Sequence, residues 1–276
     1  MAGTVHRFYL PAPLPPGESV ALTEEQARQA ARVLRLAPGA PVVLFNGDGQ
    51  EVPGTIEDCA PRRVTVRLGE PRAGRSCPVP AIHVAQALIK ADRFDWVVQK
   101  VTELGVARIT PLATSRTVVS LPVERARQRR ERWQRIAVEA AEQSGRVTIP
   151  EIDEPATLDD LLPLMARIPA LVCWENEAVP LHRVRLPTAG PLLVVIGPEG
   201  GFTREEIAAA VDAGARTVSL GPLILRSETA ALAALAGIFT LAAAAADNSK
   251  AHVEVVVHDC HPTPLHRRPR PARRDR

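Results

Sequence analysis

The sequence is poor in cysteine, and the four residues that it has are scattered. Cys59, Cys77, Cys173 and Cys260 form no Cys-x-x-Cys pair and have no histidine at the spacing of a zinc site, so neither a structural metal nor a disulfide framework is expected. None of the seven histidines has a companion at metal or catalytic-triad spacing. His83, which lies in an apolar segment, is interpreted as a core residue with a satisfied hydrogen bond. We therefore expect no metal site.

The sequence also lacks a signal peptide, because residues 1–16 contain no apolar run. The most apolar helix candidate, from about Ala230 to Ala246, is rich in alanine and follows a charged loop, so we interpret it as a buried core helix and not as a membrane span. The 276 residues, 46% of them hydrophobic and 24% charged, are typical of a globular protein with a real core. A cytoplasmic protein with no membrane partner is expected.

Positive charge is concentrated at the C-terminal end. Residues 267–276 contain six arginines and one aspartate, a charge of +5, so the rest of the chain contributes about −2 to the net charge of +3. A basic tail favours contact with polyanions such as RNA. A solvated, flexible end explains the same composition and is the preferred interpretation of residues 247–276.

Residues 1–75 contain short apolar runs broken by proline and glycine, such as Pro41–Phe45. In Arg63–Leu68 apolar residues alternate with polar ones, which is the period of a half-buried strand. One short helix is predicted at about Glu24–Arg35. The pattern predicts a small β-barrel, followed by a linker at Gly69–Ser76.

From Ala81 onward the pattern changes to strands that alternate with helices. A parallel α/β sheet is therefore predicted for this part of the chain. Asp92 is expected to cap the first helix and Gly105 to end it, and the spacing of Thr203 and Glu206 fits a capping box. The predicted strands are at about 82–88, 108–112, 169–174, 191–196 and 217–220, and the predicted helices at about 92–104, 123–144, from 203 and from 228.

Two segments marked by glycine follow predicted strands, where the ligands of α/β sheets bind. Gly197–Gly201 has neither the Gly-x-Gly-x-x-Gly spacing nor the Gly-Lys-Ser/Thr of phosphate-binding loops, and its Glu199 would repel an anion. In Leu220–Ala230 the backbone can read the edge of an adenine while apolar side chains cover the ring. A tight turn in the first segment, and a helix cap by Ser227 or Thr229 in the second, remain alternatives.

Two further polar segments have simple structural interpretations. Lys100 and Glu103 are three residues apart on a predicted helix, which fits an intrahelical ion pair. The segment Glu139–Arg146 fits a solvated helix end capped by Gly145.

Six strings stand in a characteristic order: RFYL; VLRL with a following LFNGDGQE; QALIKADRFDWVVQKVTELGV; ERWQRIAVEAAEQSGR; VVIGPEGGFTREEI; and SLGPLILRSETAAL. Over about residues 6–246 the chain thereby resembles the ribosomal RNA small subunit methyltransferase E family of the SPOUT superfamily. The resemblance implies a PUA-like barrel at 1–75, a SPOUT α/β domain with a deep trefoil knot at 76–246, and a homodimer. It implies transfer of a methyl group from S-adenosylmethionine to N3 of a uridine in the 16S ribosomal RNA of the small ribosomal subunit.

The resemblance also suggests residue roles. Arg226 and Glu228 are expected at the reaction centre, with Glu228 as the proton acceptor. RNA contacts are assigned by charge and motif position to Arg7, Arg35, Lys90, Arg93 and Lys100. The methyl donor is expected to contact Val172, Glu175, Ile196, Gly197, Pro198, Glu199, Gly200, Gly201, Leu220, Gly221, Leu223, Ile224, Leu225, Thr229 and Ala230.

The sequence departs from the family at two places. Gln29 stands where family members usually have a histidine and receives no role, and the chain after about Asp247 inherits nothing from the resemblance. Two alternative functions stay open: a SPOUT enzyme that methylates ribose 2′-hydroxyls or transfer RNA, and a non-catalytic RNA-binding assembly factor. A dinucleotide-dependent oxidoreductase is disfavoured by the missing glycine fingerprint.

Overall fold

The computed structural model describes residues 5–75, 80–117, 123–177 and 179–248. The prediction of a flexible basic tail falls almost entirely on residues 249–276, which lie outside this described part.

The N-terminal region folds as a six-stranded sheet around its own core. The sheet order is β1-β3-β4-β5-β2, with β6 paired to β4. β1 runs parallel to β3, and the neighbouring pairs are antiparallel. Alternate residues point inwards, so that Phe8, Leu44 and Val66 are buried together. The strands are β1 (His6–Tyr9), β2 (Ser19–Ala21), β3 (Pro41–Phe45), β4 (Gln50–Ala60), β5 (Arg63–Leu68) and β6 (Arg72–Ala73).

The helix of this region is shorter than predicted. α1 (Glu24–Arg28) is followed by a π-helical turn at Gln29–Val33, and Arg35 then adopts a positive φ of 50°. A π-helical turn is wider than an α-helical one and is often found at functional positions. Ala27 in α1 and Ala30 in the π-helical turn are both fully buried in the barrel core.

The C-terminal region is a parallel α/β sheet, as predicted. Its strand order is β10-β8-β7-β12-β11-β13, with β9 paired to β8, and every recorded pair is parallel. The strands are β7 (Ala81–Ala87), β8 (Arg108–Ala113), β9 (Glu151–Ile152), β10 (Ala156–Thr157), β11 (Ala170–Cys173), β12 (Pro191–Ile196) and β13 (Arg216–Val218). The helices are α2 (Ala91–Glu103), α3 (Val123–Ser144), α4 (Leu158–Met165), α5 (Arg204–Asp212) and α6 (Ser227–Asn248).

Helices cover both faces of this sheet. One apolar cluster joins the sheet to α2, α3 and α6, and a second joins the other face to α4 and α5. Successive residues of β12 belong to the two clusters in turn, as the pleat of a strand requires. The structure is therefore a three-layer sandwich.

Helix boundaries agree with the sequence in most places. Gly105, with a φ of 99°, ends α2, and Thr203 and Glu206 form the expected capping box of α5. Asp92 is not the cap of α2, because the helix already begins at Ala91. α4 was not predicted, since its eight residues include Pro163, which is unfavourable inside a helix.

The interpretation of the last apolar helix as a buried core helix is wrong for most of its surface. Ser227–Ala245 is long and apolar enough to cross a membrane by length and composition, and only 22% of that stretch is buried. α6 packs against α2 and β12 along one side. The opposite side presents small apolar residues at the surface, including Ala236.

The two regions are joined through the end of α3. The backbone N–H of Tyr9 donates to the Glu142 carboxylate over 2.8 Å, and Phe45 packs with Ala141 and Val147. Burial raises the pKa of Glu142. The segment predicted as a solvated helix end is thus part of the contact between barrel and sheet.

Candidate active site

A cavity of about 270 Å³ opens where three parallel strands end. β11, β12 and β13 are neighbours in the sheet, so their carboxyl ends meet at one edge. The cavity is lined by Cys173–Glu175 after β11, by Ile196–Glu199 with Gly201 and Phe202 after β12, and by Ser219–Ser227 with Ala230 after β13. The sheet topology alone therefore brings together segments up to 57 residues apart, from Cys173 to Ala230.

The loop after β12 has glycine where side chains would collide. A Cβ on Gly197 would lie 2.9 Å from the Phe202 ring, and one on Gly201 would lie 2.6 Å from a carboxylate oxygen of Glu175. Gly201 also has a φ of 68°, which favours glycine. The glycines therefore fix a turn that lies tightly between Phe202 and Glu175.

Two hydrogen bonds hold this loop to its neighbours from opposite sides. Arg116, from the segment after β8, donates through Nη1 to the carbonyl oxygen of Gly200 over 2.9 Å. On the other side the hydroxyl of Ser227 donates to the carbonyl oxygen of Gly197. The protein itself therefore supplies contacts that hold this loop on both sides.

The loop after β13 is apolar and exposed. The side chains of Leu223 and Ile224 are 77% and 86% accessible, which is costly for apolar residues in water unless a ligand or partner covers them. Cys173 also lines the cavity, and burial raises the pKa of its thiol to about 12. Such a thiol is not ionised near neutral pH, so Cys173 is not a nucleophile.

Three ionisable side chains meet at the edge of the cavity. Arg93, near the start of α2, lies with its Nη1 3.5 Å from Glu228 Oε1 and 4.0 Å from Glu199 Oε1. The other oxygen of Glu228, Oε2, is buried and has no hydrogen-bond partner among the described residues. Glu228, next to the lining residue Ser227, therefore has a buried acceptor atom that makes no hydrogen bond within the described part of the chain.

Comparison with known proteins identifies this arrangement. The RNA methyltransferase domain family matches residues 75–238, and the RNA methyltransferase PUA domain family matches residues 22–69. Ribosomal RNA small subunit methyltransferase E of Bacillus subtilis is 33% identical over 226 residues, which cover 79% of this chain and 88% of that protein. The chain belongs to the ribosomal RNA small subunit methyltransferase E family.

Other relatives agree with this assignment of the methyltransferase. The enzyme of the same name from Synechocystis is 35% identical over 229 residues, or 81% of this chain and 73% of that protein. A crystal structure of the Neisseria gonorrhoeae enzyme bound to S-adenosyl methionine has a TM-score of 0.79 and 33% identity, and covers 86% of this chain and 98% of that one. The predicted fold, a SPOUT α/β domain with a PUA-like barrel, is confirmed; the deep trefoil knot and the boundaries at residues 75 and 246 stay predictions.

Most of the residues predicted to contact the methyl donor lie together around this cavity of the methyltransferase. Among the described residues that line the cavity are Glu175, Ile196, Gly197, Pro198, Glu199, Gly201, Leu220, Gly221, Leu223, Ile224, Leu225 and Ala230, together with Arg226. Val172, Gly200 and Thr229 are not in this lining: Val172 is buried in β11, Gly200 lies against Arg116, and Thr229 is exposed on α6.

Sequence reasoning missed several lining residues of the methyltransferase. Trp174, Phe202, Ser219 and Pro222 each adjoin a segment that was identified, so reading each loop out to the next regular element would have included them. Arg116 lies in none of the segments that were singled out. Its hydrogen bond to Gly200 depends on β8 and β12 lying on either side of β7, and no local sequence pattern indicates that arrangement.

The residues assigned to RNA are spread over the surface of the methyltransferase. Arg7 forms an ion pair with Glu51 over 2.6 Å inside the barrel, and its Nε and Nη2 atoms are buried. Its guanidinium group is therefore not exposed for contact with RNA. Lys100 forms an ion pair with Glu103, as the structural alternative expected. Lys90 and Arg35 are exposed.

His83 is a core residue, as interpreted. It is 8% exposed, and its Nε2 lies 2.6 Å from the Thr110 hydroxyl. Thr110 also donates a hydrogen bond to Asp153, and Nε of Arg108 lies 3.2 Å from Oδ1 of the same carboxylate. No cluster of three or more metal-ligating side chains is found among the residues that the structure describes.

Proposed function

We propose that this enzyme transfers the methyl group of S-adenosylmethionine to N3 of a uridine in the 16S ribosomal RNA of the small ribosomal subunit. The observation that carries the proposal is the cavity formed by the three strand-end loops, with Arg93 and Glu228 at its edge. The relative from Neisseria gonorrhoeae, bound to S-adenosyl methionine in its crystal, supports the choice of donor.

The lining of the cavity suits this donor chemically. Gly197 and Gly201 let a ligand approach backbone, and Leu223 and Ile224 can cover the face of an adenine. The donor carries a positively charged sulfonium and an amino group, and the carboxylates of Glu175 and Glu199 line the same cavity. Opposite charges in a partly enclosed site attract.

The protein has residues for the chemistry that the donor does not supply. When bound, S-adenosylmethionine supplies a methyl group already activated on sulfur. Uracil N3 carries a proton and takes part in Watson–Crick pairing, so the base must be unpaired to react. We assign removal of that proton to the carboxylate of Glu228, and stabilisation of the negative charge on the uracil oxygens to Arg226 and Arg93.

RNA contacts are proposed for three cations: the exposed Lys90, the half-buried Arg93 and the exposed Arg35. Lys90 precedes α2 by one residue and Arg93 lies in the first turn of that helix. Arg35 offers a further contact from the barrel, at the left-handed residue that follows its π-helical turn. Contacts between these cations and phosphates would make RNA binding fall as salt rises.

We further propose that the enzyme works in the cytoplasm as a homodimer, with the exposed side of α6 covered by the second copy. A shallow groove of about 910 Å³ runs along this side and is lined by Ala233, Ala236, Gly237, Thr240 and Leu241. It continues to Ser219–Pro222, which also line the donor cavity. Small apolar residues on a helix allow close approach of another apolar surface.

The dimer is tested by charge insertion. Ala236→Glu is expected to give a monomer in light scattering after size-exclusion chromatography, because it places a carboxylate in the apolar contact. Ala208→Glu, at an exposed alanine of α5, is the matched control and should leave the dimer intact. A dimeric Ala236→Glu variant would contradict the proposed interface.

The activity is tested on small subunits and on free ribosomal RNA from a strain that lacks the enzyme. Nucleoside mass spectrometry is expected to find 3-methyluridine. A methylated ribose, or methylated transfer RNA with unmodified ribosomal RNA, would establish the alternative SPOUT activity. Failure of the protein to bind S-adenosylmethionine in calorimetry, with RNA binding intact, would establish the non-catalytic assembly factor.

The role of Glu228 has its own test. Glu228→Gln is expected to lower kcat by about 10²- to 10⁴-fold at saturating donor, the usual contribution of a general base, and to leave donor affinity unchanged. Glu131→Gln, at an exposed position of α3, is the control. Full turnover by Glu228→Gln would remove Glu228 from the mechanism.

A further inference from the structure

Gln86 is a completely buried polar residue next to the end of β7. It lies opposite Ile196 of β12, the residue before the loop that begins with Gly197. Its amide Nε2 is 3.1 Å from the carbonyl oxygen of Ala87 and 2.8 Å from the hydroxyl of Ser227. Its Oε1 is also buried and makes no hydrogen bond within the described part of the chain. Burying an amide is costly unless hydrogen bonds offset it, so Nε2 alone fixes this side chain at the junction of β7, the loop after β12 and α6.

The direction of each hydrogen bond in this group is fixed. The carbonyl oxygen of Ala87 can only accept, so the atom that faces it must be the NH₂ group of Gln86. The second hydrogen of that group points to the Ser227 oxygen, which therefore accepts. The Ser227 hydroxyl hydrogen is left to donate to the carbonyl oxygen of Gly197, which can also only accept.

We infer that Gln86 is a positioning residue for the methyl donor: through Ser227 it holds the Gly197 loop and the first turn of α6, two walls of the donor cavity, in one arrangement. Gly197 and Ser227 both line the cavity, and Ser227 immediately precedes Glu228. This inference rests on the proposed function, because it takes the cavity to be the donor site.

We call the hydrogen bonds from Gln86 to Ser227 and from Ser227 to Gly197 the relay. If the relay shapes the cavity, donor binding depends on an N–H at position 86. Gln86→Met keeps the length of the side chain and removes the donor, so the Ser227 hydroxyl and the Gly197 carbonyl lose their fixed orientation. Gln86→Glu keeps the shape, but an ionised carboxylate only accepts and would draw the Ser227 hydroxyl away from Gly197. Loss of such buried hydrogen bonds is expected to weaken donor binding by about 5- to 100-fold.

The experiment is titration calorimetry of the full-length protein with S-adenosylmethionine between pH 6 and pH 9. We expect Gln86→Met to be weaker than wild type by the same factor at every pH. The Gln86→Glu defect should be smaller at pH 6, where a protonated carboxyl regains one hydrogen to donate, than at pH 9. Wild type measured at each pH is the reference, because the charged groups Glu228, Glu199 and Arg93 lie at the cavity edge.

A double-mutant cycle separates the relay from a general loss of stability. Ser227→Ala alone and Gln86→Met with Ser227→Ala should bind the donor with similar affinity, because both break the same chain of hydrogen bonds. Gln99→Met, at an exposed glutamine of α2, should bind as wild type does. RNA binding by the folded variants should change less than about twofold. Ser227→Ala keeps the test decisive if the position-86 variants do not fold.

Two results would overturn the inference. One is donor affinity equal to wild type in Gln86→Met, or in Ser227→Ala where the position-86 variants do not fold. The other is fully additive losses in the cycle. Should wild type itself fail to bind S-adenosylmethionine, the proposed function would be overturned, and the relay with it. If wild type binds S-adenosylmethionine and the variants bind it equally well, only the inference about the relay is overturned and the proposed function stands.

Discussion

Replacing Gly201 by alanine is expected to weaken donor binding without unfolding the protein. Gly201 lines the cavity with a φ of 68°, and a Cβ added to it would lie 2.6 Å from Oε1 of Glu175. The atom that it meets is the end of a flexible side chain, so the contact can be relieved by rotation of Glu175. The conformational strain cannot be relieved without moving the loop.

The magnitude follows from that strain. A left-handed backbone costs a residue with a Cβ about 1–2 kcal/mol. If the loop of the free variant relaxes and the donor requires the original shape, this cost appears in the dissociation constant. At 1.4 kcal/mol for each factor of ten, donor binding is expected to weaken about 5- to 30-fold.

Calorimetry with S-adenosylmethionine and urea unfolding measure the two quantities separately. Gly190→Ala is the control, because Gly190 has a φ of 81° and open space around its Cβ position, and precedes β12 at the opposite edge of the sheet from the cavity. It should lose similar stability and keep full donor affinity. The placement of the donor beside this loop would be refuted by a Gly201→Ala protein that binds the donor as tightly as wild type.

Two further predictions concern stability and pH. Burial raises the pKa of Glu142. Its contribution to the free energy of unfolding is therefore favourable below the ordinary glutamate pKa of about 4.3 and is lost as pH rises through the raised pKa. In urea unfolding, Glu142→Gln, which can still accept the hydrogen bond from Tyr9, should be at least as stable as wild type at pH 7, and the difference should vanish near pH 4. Burial of Asp153 is outweighed by the nearby imidazole of His83, by the hydrogen bond from Thr110 and by the charge of Arg108, so the pKa of Asp153 is lowered. The advantage of wild type over Asp153→Asn should be present at pH 7 and shrink as pH falls below about 4.

The sequence predicts the C-terminal region well because its signals are local. The capping box at Thr203, the glycine after α2 and the alternation of strands with helices each depend on a few neighbouring residues. The glycine loop was predicted to be a ligand site for the same reason. The knot was expected only through the family resemblance, because a threaded chain leaves no periodic pattern.

What the sequence could not predict depends on partners far along the chain. Gln86 and Ser227 are 141 residues apart, and either alone is an ordinary polar residue. The exposure of α6 was missed because its composition is that of a core helix, while burial depends on what packs against each side. Arg7 was assigned to RNA by its charge, and only the fold places Glu51 and Phe45 around it.

The bond from Tyr9 to Glu142 also bears on how the chain folds during its synthesis. The two residues are 133 positions apart, so at about 5–20 residues per second the ribosome needs on the order of 10 s to make the second after the first. Throughout that interval β1 can pair with β3, but the backbone N–H of Tyr9 lacks its hydrogen bond to Glu142 until α3 has been made. The barrel therefore reaches its final form only after more than half of the enzyme has been made, and a nascent chain stalled before α3 should expose β1 to proteolysis.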